Sequence, residues 1–332
     1  MTVSVTHDAP TLPSPVMQAQ TMWQSSIVTE MLHVAADRGV FALLLDGPST
    51  SSDLAAETGV HERSLHRLLR AMVGLGICGS SPRGWTLTPL GTAAARLAGP
   101  SAWALPTIPQ LGRAVETGRP AMTFSHGGTL FEYFAEHPDE GAEFDARLAV
   151  INAAEPRAVT EAYAFAGVNR LVDVGGGNGA FLAEVLRSNA ALHGVLFDLP
   201  RTVAHPSAEL AKLAGRCQIT AGDFFEAVPA GADAYLLSHI VHDWPEPQAI
   251  AILTRVREAI APSGRLLIVE LVMPSDDTPH PARMLDIVML LLTGGEERTE
   301  DEYAELLARA GFRLERVVPT RSPVSVLEAV PV

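Results

Sequence analysis

Residues 236–247 read LLSHIVHDWPEP and bring His239, His242, Asp243 and Trp244 into one short stretch. An unperturbed imidazole titrates near pH 6.5, so at neutral pH a histidine here can take a proton from a substrate hydroxyl. Two other readings stand beside general-base chemistry: a histidine capping the helix that follows, and a metal held by His239, His242 and Asp243. Three ligands so close in sequence need a particular turn, and no carboxylate-rich partner motif accompanies them. Glu270, in RLLIVEL, and Glu297, in GGEERTEDEY, are two more carboxylates expected at the same edge. One or both would hydrogen-bond the imidazole of His242, fixing its tautomer and stabilising the imidazolium.

A second constellation lies upstream. The run LVDV at 171–174 passes directly into GGGNG and then into AFLAEVLRSN, so a glycine-rich turn joins a strand to a helix. Doubly wound sheets bind nucleotides at that place, and glycine lets the backbone approach a ligand or take positive φ. The string fits G-x-G-x-x-A through Gly175, Gly177 and Ala180, and D-x-G-x-G-x-G through Asp173, Gly175, Gly177 and Gly179. Asp173 favours the second, because its carboxylate would repel a pyrophosphate and suit a cationic cofactor such as S-adenosylmethionine. Asp198 ends the next apolar run, where a carboxylate can accept both ribose hydroxyls. Asp223 and Phe224, in AGDFF, offer an acceptor and an aromatic wall for an adenine ring. No tyrosine has a lysine four residues on, which counts against hydride-transfer chemistry.

These residues need a frame. After position 169, apolar runs at 171–174, 195–198, 218–220, 234–240 and 265–273 alternate with helical patterns, among them 180–189 and 246–260. Short buried strands separated by helices predict an open, mostly parallel α/β sheet of Rossmann-like type. Upstream the pattern is helical. Residues 51–91 read as two short helices, then strand-like runs at 76–78 and 85–87 joined by a turn at 80–84, a winged-helix order. The predicted organisation is a disordered lead-in at 1–15, a helical domain with the winged-helix-like segment at 16–165, and a Rossmann-like, cofactor-binding domain at 166–332.

Charge narrows the partners. Lys and Arg number 24 against 38 Asp and Glu, a net of −14 that repels nucleic acid. Arg63, Arg67 and Arg70 lie on the second helix of the winged segment, where a recognition helix would sit. Asp53, Glu57 and Glu62 offset them and Arg83 to a net of about +1, so a packing or dimerisation platform is the expected role, and no nucleic-acid partner is expected. Cys78 and Cys217 form no disulfide framework, and no secretory leader or apolar run of membrane-spanning length occurs. The expectation is a cytoplasmic protein with neither membrane nor metal. The aromatics Phe124, Phe131, Tyr133 and Phe134 fill a core or line a pocket.

The ordered set DVGGGNG, FDLP, GDFF, HDW, VELVMP, RMLDIVMLLLTGG and ERTEDEY resembles the plant caffeic-acid-type, S-adenosylmethionine-dependent small-molecule O-methyltransferases, and above all their bacterial natural-product branch. The resemblance covers nearly everything after residue 16. It implies His242 as base, with Glu270 and Glu297 orienting it. It implies cofactor contacts from Gly175, Asp198, Asp223, Phe224 and Trp244, and from Ser238, which stands where the plant enzymes carry lysine. It implies acceptor contacts from Asp286 and Met289 on the helical run 284–293, with Phe131 and Phe134 contributing. A homodimer methylating a phenolic or enolic hydroxyl of a small aromatic or polyketide-like compound, without metal, follows from it. A few relatives have abandoned methyl transfer for hydroxylation, decarboxylation or pericyclic chemistry, and a cofactor-sensing DNA-binding regulator is the remaining alternative.

Overall fold

A computed structural model describes residues 14–97 and 103–332, and the chain divides into two compact units between Trp103 and Ala104. The lead-in expected at 1–15 lies outside the described residues, except that Ser14 and Pro15 already start a helix. Ser14 caps Pro15–Asp37 by accepting the Met17 N–H, with proline at the first helical position, where its missing N–H costs nothing.

In the first unit that helix gives way to Val40–Asp46, Ser51–Thr58 and Glu62–Gly74. The antiparallel pair β1 (Cys78–Ser81) and β2 (Gly84–Leu87) follows, with Cys78 opposite Leu87 and Ser81 opposite Gly84. This is the winged-helix order. β1 starts two residues later than the sequence suggests because Gly76 has φ +71°. Leu65, Leu69 and Met72 face the core from Glu62–Gly74, while Arg63, Arg67 and Arg70 are exposed. Pro15–Asp37 is different: only Ala35 is buried, and Met22, Trp23 and Ile27 lie open.

The second unit begins with helices, including Leu111–Thr117, Leu130–Glu136, Pro138–Ile151 and Glu155–Ala162. The change of pattern at 165–170 therefore marks where the sheet starts, whereas the compact unit starts at Ala104. The sheet comprises β3 (Arg170–Val174), β4 (His193–Asp198), β5 (Cys217–Ala221), β6 (Ala234–Ser238), β7 (Arg265–Glu270), β8 (Phe312–Pro319) and β9 (Ser325–Pro331). Their spatial order is β5-β4-β3-β6-β7-β9-β8. β3 to β7 run parallel, and β9 pairs antiparallel with both β7 and β8. The sheet is Rossmann-like.

Leu171 to Val174 and Ala234 to Leu237 are buried throughout, as strands covered on both faces must be. The chain leaves β3 toward one edge and β6 toward the other. A crevice therefore opens at the carboxyl ends of β3 and β6, where the order reverses. Two expected strands end early. The run 234–240 stops at Ser238 because His239 leaves the ladder with φ 53°, and 265–273 stops at Glu270. The pair β8 and β9 was not foreseen.

Candidate active site

The turn after β3 carries three glycines at positive φ, Gly175, Gly177 and Gly179. The N–H groups of Gly175 and Gly176 donate to the carbonyl of Phe197 at 2.8 and 3.3 Å, fastening the turn to β4. A Cβ at Gly175 would stand 2.5 Å from Ile240 Cδ1, so a larger residue here would displace that side chain as well as strain a φ of +70°. Asp198, at the end of β4, accepts the Gly177 N–H at 2.9 Å and the Leu199 N–H at 2.6 Å on its two oxygens. Asp173 lies beneath the turn, buried, and its Oδ2 has no hydrogen-bond partner. Burial, then the nearby charge of Asp198, pushes its carboxyl up to about 7. Burial and Asp198 raise Asp145 as well.

Two clustered carboxylates and an orphaned carboxylate oxygen beneath a glycine turn fit a cationic ligand and oppose a pyrophosphate. Phe224 adds an aromatic wall, its Cε1 3.6 Å from where a Cβ of Gly175 would be. Asp223 sits in the turn after β5 and accepts the Phe225 N–H at 2.8 Å. The residues present thus suit an adenosine cofactor bearing positive charge.

The second turn follows β6. His239 is left-handed, Ile240 is right-handed at φ −113° and ψ −50°, and Val241–Asp243 form one 3-10 turn. Successive N–H groups in such a left-right alternation converge into an anion-binding concavity. Glu270 fills it. Its Oε1 accepts the N–H groups of Ile240, Val241 and His242 at 3.1, 2.7 and 3.1 Å, and its Oε2 accepts the hydroxyl of buried Tyr303. Of the two carboxylates of which one or both were expected on the imidazole, Glu270 is not the one: it is spent on the backbone beneath the ring.

Glu297 is the residue that reaches the ring, with Oε1 2.6 Å from His242 Nδ1 and its side chain wholly buried. A carboxylate only accepts, so Nδ1 donates this bond, and Nε2 takes no part in it. The opposite wall comes from the loop after Ala282–Leu292. The Glu296 N–H donates to the His242 carbonyl at 2.9 Å. A Cβ at Gly295 would lie 1.9 Å from that carbonyl oxygen, a spacing only glycine permits. Buried Arg298 donates to the Val241 carbonyl at 3.4 Å and to Glu296 Oε1 at 2.9 Å. Asp286 accepts the Glu297 N–H at 3.0 Å, so at least one of its oxygens holds the base's partner.

Burial alone would depress the His242 imidazole. Asp243, the hydrogen bond to Glu297, and the charges of Glu270 and Glu297 outweigh it and raise the ring to about 10. Such a ring is a strong proton acceptor in its neutral form.

Trp244 lies face to face with Phe131, ring centres 4.8 Å apart at 14°, and meets Phe225 edge-on at 4.7 Å. Residues expected on the adenosine side and on the acceptor side thus share one stack. Phe134 packs on Phe144 at 5.2 Å. Met289 is buried with Sδ 3.7 Å from Thr293 Oγ1, and Ser238 ends β6 opposite Val269. His239 turns to Glu155, Nε2 to Oε2 at 2.7 Å, and among the described residues no group of three or more His, Cys, Asp or Glu is placed to hold a metal ion. Sequence reasoning missed Tyr303, Arg298, Gly295 and Glu155. The first two lie within or beside the ERTEDEY motif and could have been flagged there, while Glu155 carries no local signal.

Residues 21–96 match the family model of an O-methyltransferase dimerisation domain, and residues 109–313 that of an O-methyltransferase domain. The chain is 37% identical over 323 residues to the phenazine O-methyltransferase PhzM of Lysobacter antibioticus, covering 92% of this chain and 93% of the relative. The crystal structure of LaPhzM superposes with a TM-score of 0.87 at 35% identity, over 97% of this chain and 100% of that one. An O-methyltransferase of neocarzinostatin biosynthesis, NcsB1, solved with S-adenosylmethionine and 2-hydroxy-5-methyl naphthoic acid, gives a TM-score of 0.78 at 29% identity, over 92% and 96% of the two chains.

Proposed function

The chain belongs to the S-adenosylmethionine-dependent O-methyltransferase family, and from that premise we propose that it methylates a hydroxyl of a small, planar aromatic compound with His242 as the general base. The observation that carries this reading is the buried 2.6 Å bond between His242 Nδ1 and Glu297, which leaves Nε2 for the acceptor hydroxyl. S-adenosylmethionine supplies a methyl group made electrophilic by its sulfonium.

The chain's own residues do the rest. His242 Nε2 takes the hydroxyl proton, and Glu297 accepts the Nδ1 hydrogen bond that stabilises the resulting imidazolium. Glu270 keeps the turn beneath the ring from moving. Asp198 would hold the ribose hydroxyls of the cofactor. Asp223 and Phe224 would hold the adenine, Gly175 would allow close backbone approach, and Trp244 and Ser238 would complete the cofactor side. Phe131, Asp286 and Met289 belong to the acceptor side, where apolar and aromatic walls select a planar ring. Holding both reactants in line accounts for much of the rate.

A homodimer is part of this reading. The exposed Met22, Trp23 and Ile27 on Pro15–Asp37 suit burial by a second copy, and light scattering at low concentration checks it. The free thiols of Cys78 and Cys217 suit a reducing, cytoplasmic setting.

The test is mass spectrometry of protein incubated with S-adenosylmethionine and a panel of hydroxyphenazines and hydroxynaphthoic acids. One acceptor should gain a methyl group in place of its hydroxyl hydrogen, with an equal amount of S-adenosylhomocysteine. Cofactor binding with neither product across the panel would overturn the proposed acceptor class.

A further inference from the structure

Among the described residues, every position with positive φ is a glycine except His239. Its left-handed conformation creates the concavity that Glu270 fills, since the last ladder bond, His239 N–H to Val269 O at 3.1 Å, is followed at once by the three N–H groups that converge on Glu270. Glycine would adopt this conformation without strain. A β-carbon kept there points to a purpose for the side chain. That side chain is held: Nε2 donates to Oε2 of Glu155 at 2.7 Å, the two groups being only 19% and 10% exposed. Glu155 starts the helix Glu155–Ala162, and the His239 ring lies 5.2 Å, centre to centre, from that of His242.

We propose that His239 and Glu155 form a positioning dyad for methyl transfer. The bond to Glu155 clamps the upstream end of the turn as Glu270 clamps its backbone and Glu297 its ring, and the three together fix the His242 imidazole. The dyad neither takes the acceptor proton nor binds metal; it acts through His242, and so rests on the assignment of His242 as base.

His239→Gly keeps the left-handed conformation available and deletes the clamp, while Glu155→Gln keeps the shape and weakens the bond. Two readouts are needed. The first is the downfield proton resonance of the His242 Nδ1–H bonded to Glu297, which needs no acceptor and is assigned by its loss in Glu297→Gln. It should broaden and exchange faster in His239→Gly and, less so, in Glu155→Gln. The second is turnover of whichever phenol of the panel proves competent. The dyad predicts a kcat lowered by about 10- to 100-fold in His239→Gly, the scale of a misplaced catalytic group, with KM for S-adenosylmethionine unchanged. The double variant should be no worse than His239→Gly alone.

A His239→Gly protein with an unaltered resonance and a kcat within twofold of the parent would overturn the dyad. If His239→Gly does not fold, Glu155→Gln decides on the same two readouts. His242→Ala is run in parallel: full turnover there would end the base assignment, and the resonance in His239→Gly would still decide whether the clamp exists.

Discussion

Two turns meet at the carboxyl edge of this sheet, and they are built on opposite plans. The turn after β3 takes its shape from glycines that need no help to adopt positive φ, and its backbone bonds run to the adjacent Phe197 and Asp198. The turn after β6 takes its shape from residues far along the chain: Glu270 below, Gly295 to Arg298 above, Glu155 beside. The first is locally encoded and leaves a surface for a ligand. The second is assembled by tertiary structure around His242, the proposed base. A cofactor cradle tolerates permissive backbone because the ligand completes it, whereas a general base must already be in place when the acceptor arrives.

The sharpest way to separate the two turns is His242→Ala. It should lower kcat by about 100- to 10,000-fold, the range for loss of a general base, while calorimetry finds cofactor affinity within about threefold of the parent. A comparable loss of cofactor affinity would mean that the turns do not divide the work in this way.

Glu297→Gln comes next, with a fall of about 10- to 100-fold in kcat/KM and a displaced pH profile. Only the neutral ring can take a proton, so kcat/KM should climb with pH toward the raised value of about 10. Removing a carboxylate that raises the ring must move that break to lower pH. The same pair stabilises the fold most below the ordinary imidazole value near 6.5, and that contribution is lost as pH rises through about 10. An unmoved break in the variant would remove Glu297 from its place beside the base.

Tyr303→Phe leaves the buried Glu270 short of one donor and should cost about 1–3 kcal/mol of stability, read as a lower denaturant midpoint. Cofactor affinity should not change, because the damage lies under the second turn. Within the glycine turn, Gly175→Ala places a Cβ against Ile240 and should weaken cofactor binding several-fold. Gly177→Ala meets no atom within 4 Å and should cost about 1 kcal/mol through its positive φ alone. Equal effects of the two would mean that contact between the turns is unimportant.

This division also decides what could be read from the sequence. LVDVGGGNG is contiguous, and its strand, turn and helix lie within two residues of where the pattern put them. The apolar runs of β4 and β6 are legible because strands buried on both faces are apolar nearly throughout, and β3 is legible in spite of its buried Asp173. β8 lies at the sheet's edge with Phe312 buried and Arg313 exposed, a mixed pattern with no continuous apolar run, and Glu328 interrupts the apolar run of β9. Glu270 and Glu297 were both picked out, but which of them meets the ring was not legible, since a side chain that binds backbone N–H groups answers to the conformation of His239, and φ leaves no trace in composition. Asp286 likewise has the Glu297 N–H as a neighbour, which no helical periodicity could announce.

The insertion of β9 between β7 and β8 has a bearing on how the enzyme is made. β7 carries Glu270 at its tip, yet one of its two neighbours in the sheet is built from residues 325–331. During synthesis the first unit and the glycine turn can form while β7 still presents an open edge, because domains tend to fold as units in the order they emerge. The support of the His242 turn is therefore completed by a strand that lies much further along the chain, and until β9 docks, the edge of β7 stays unpaired, the kind of edge that templates mispairing.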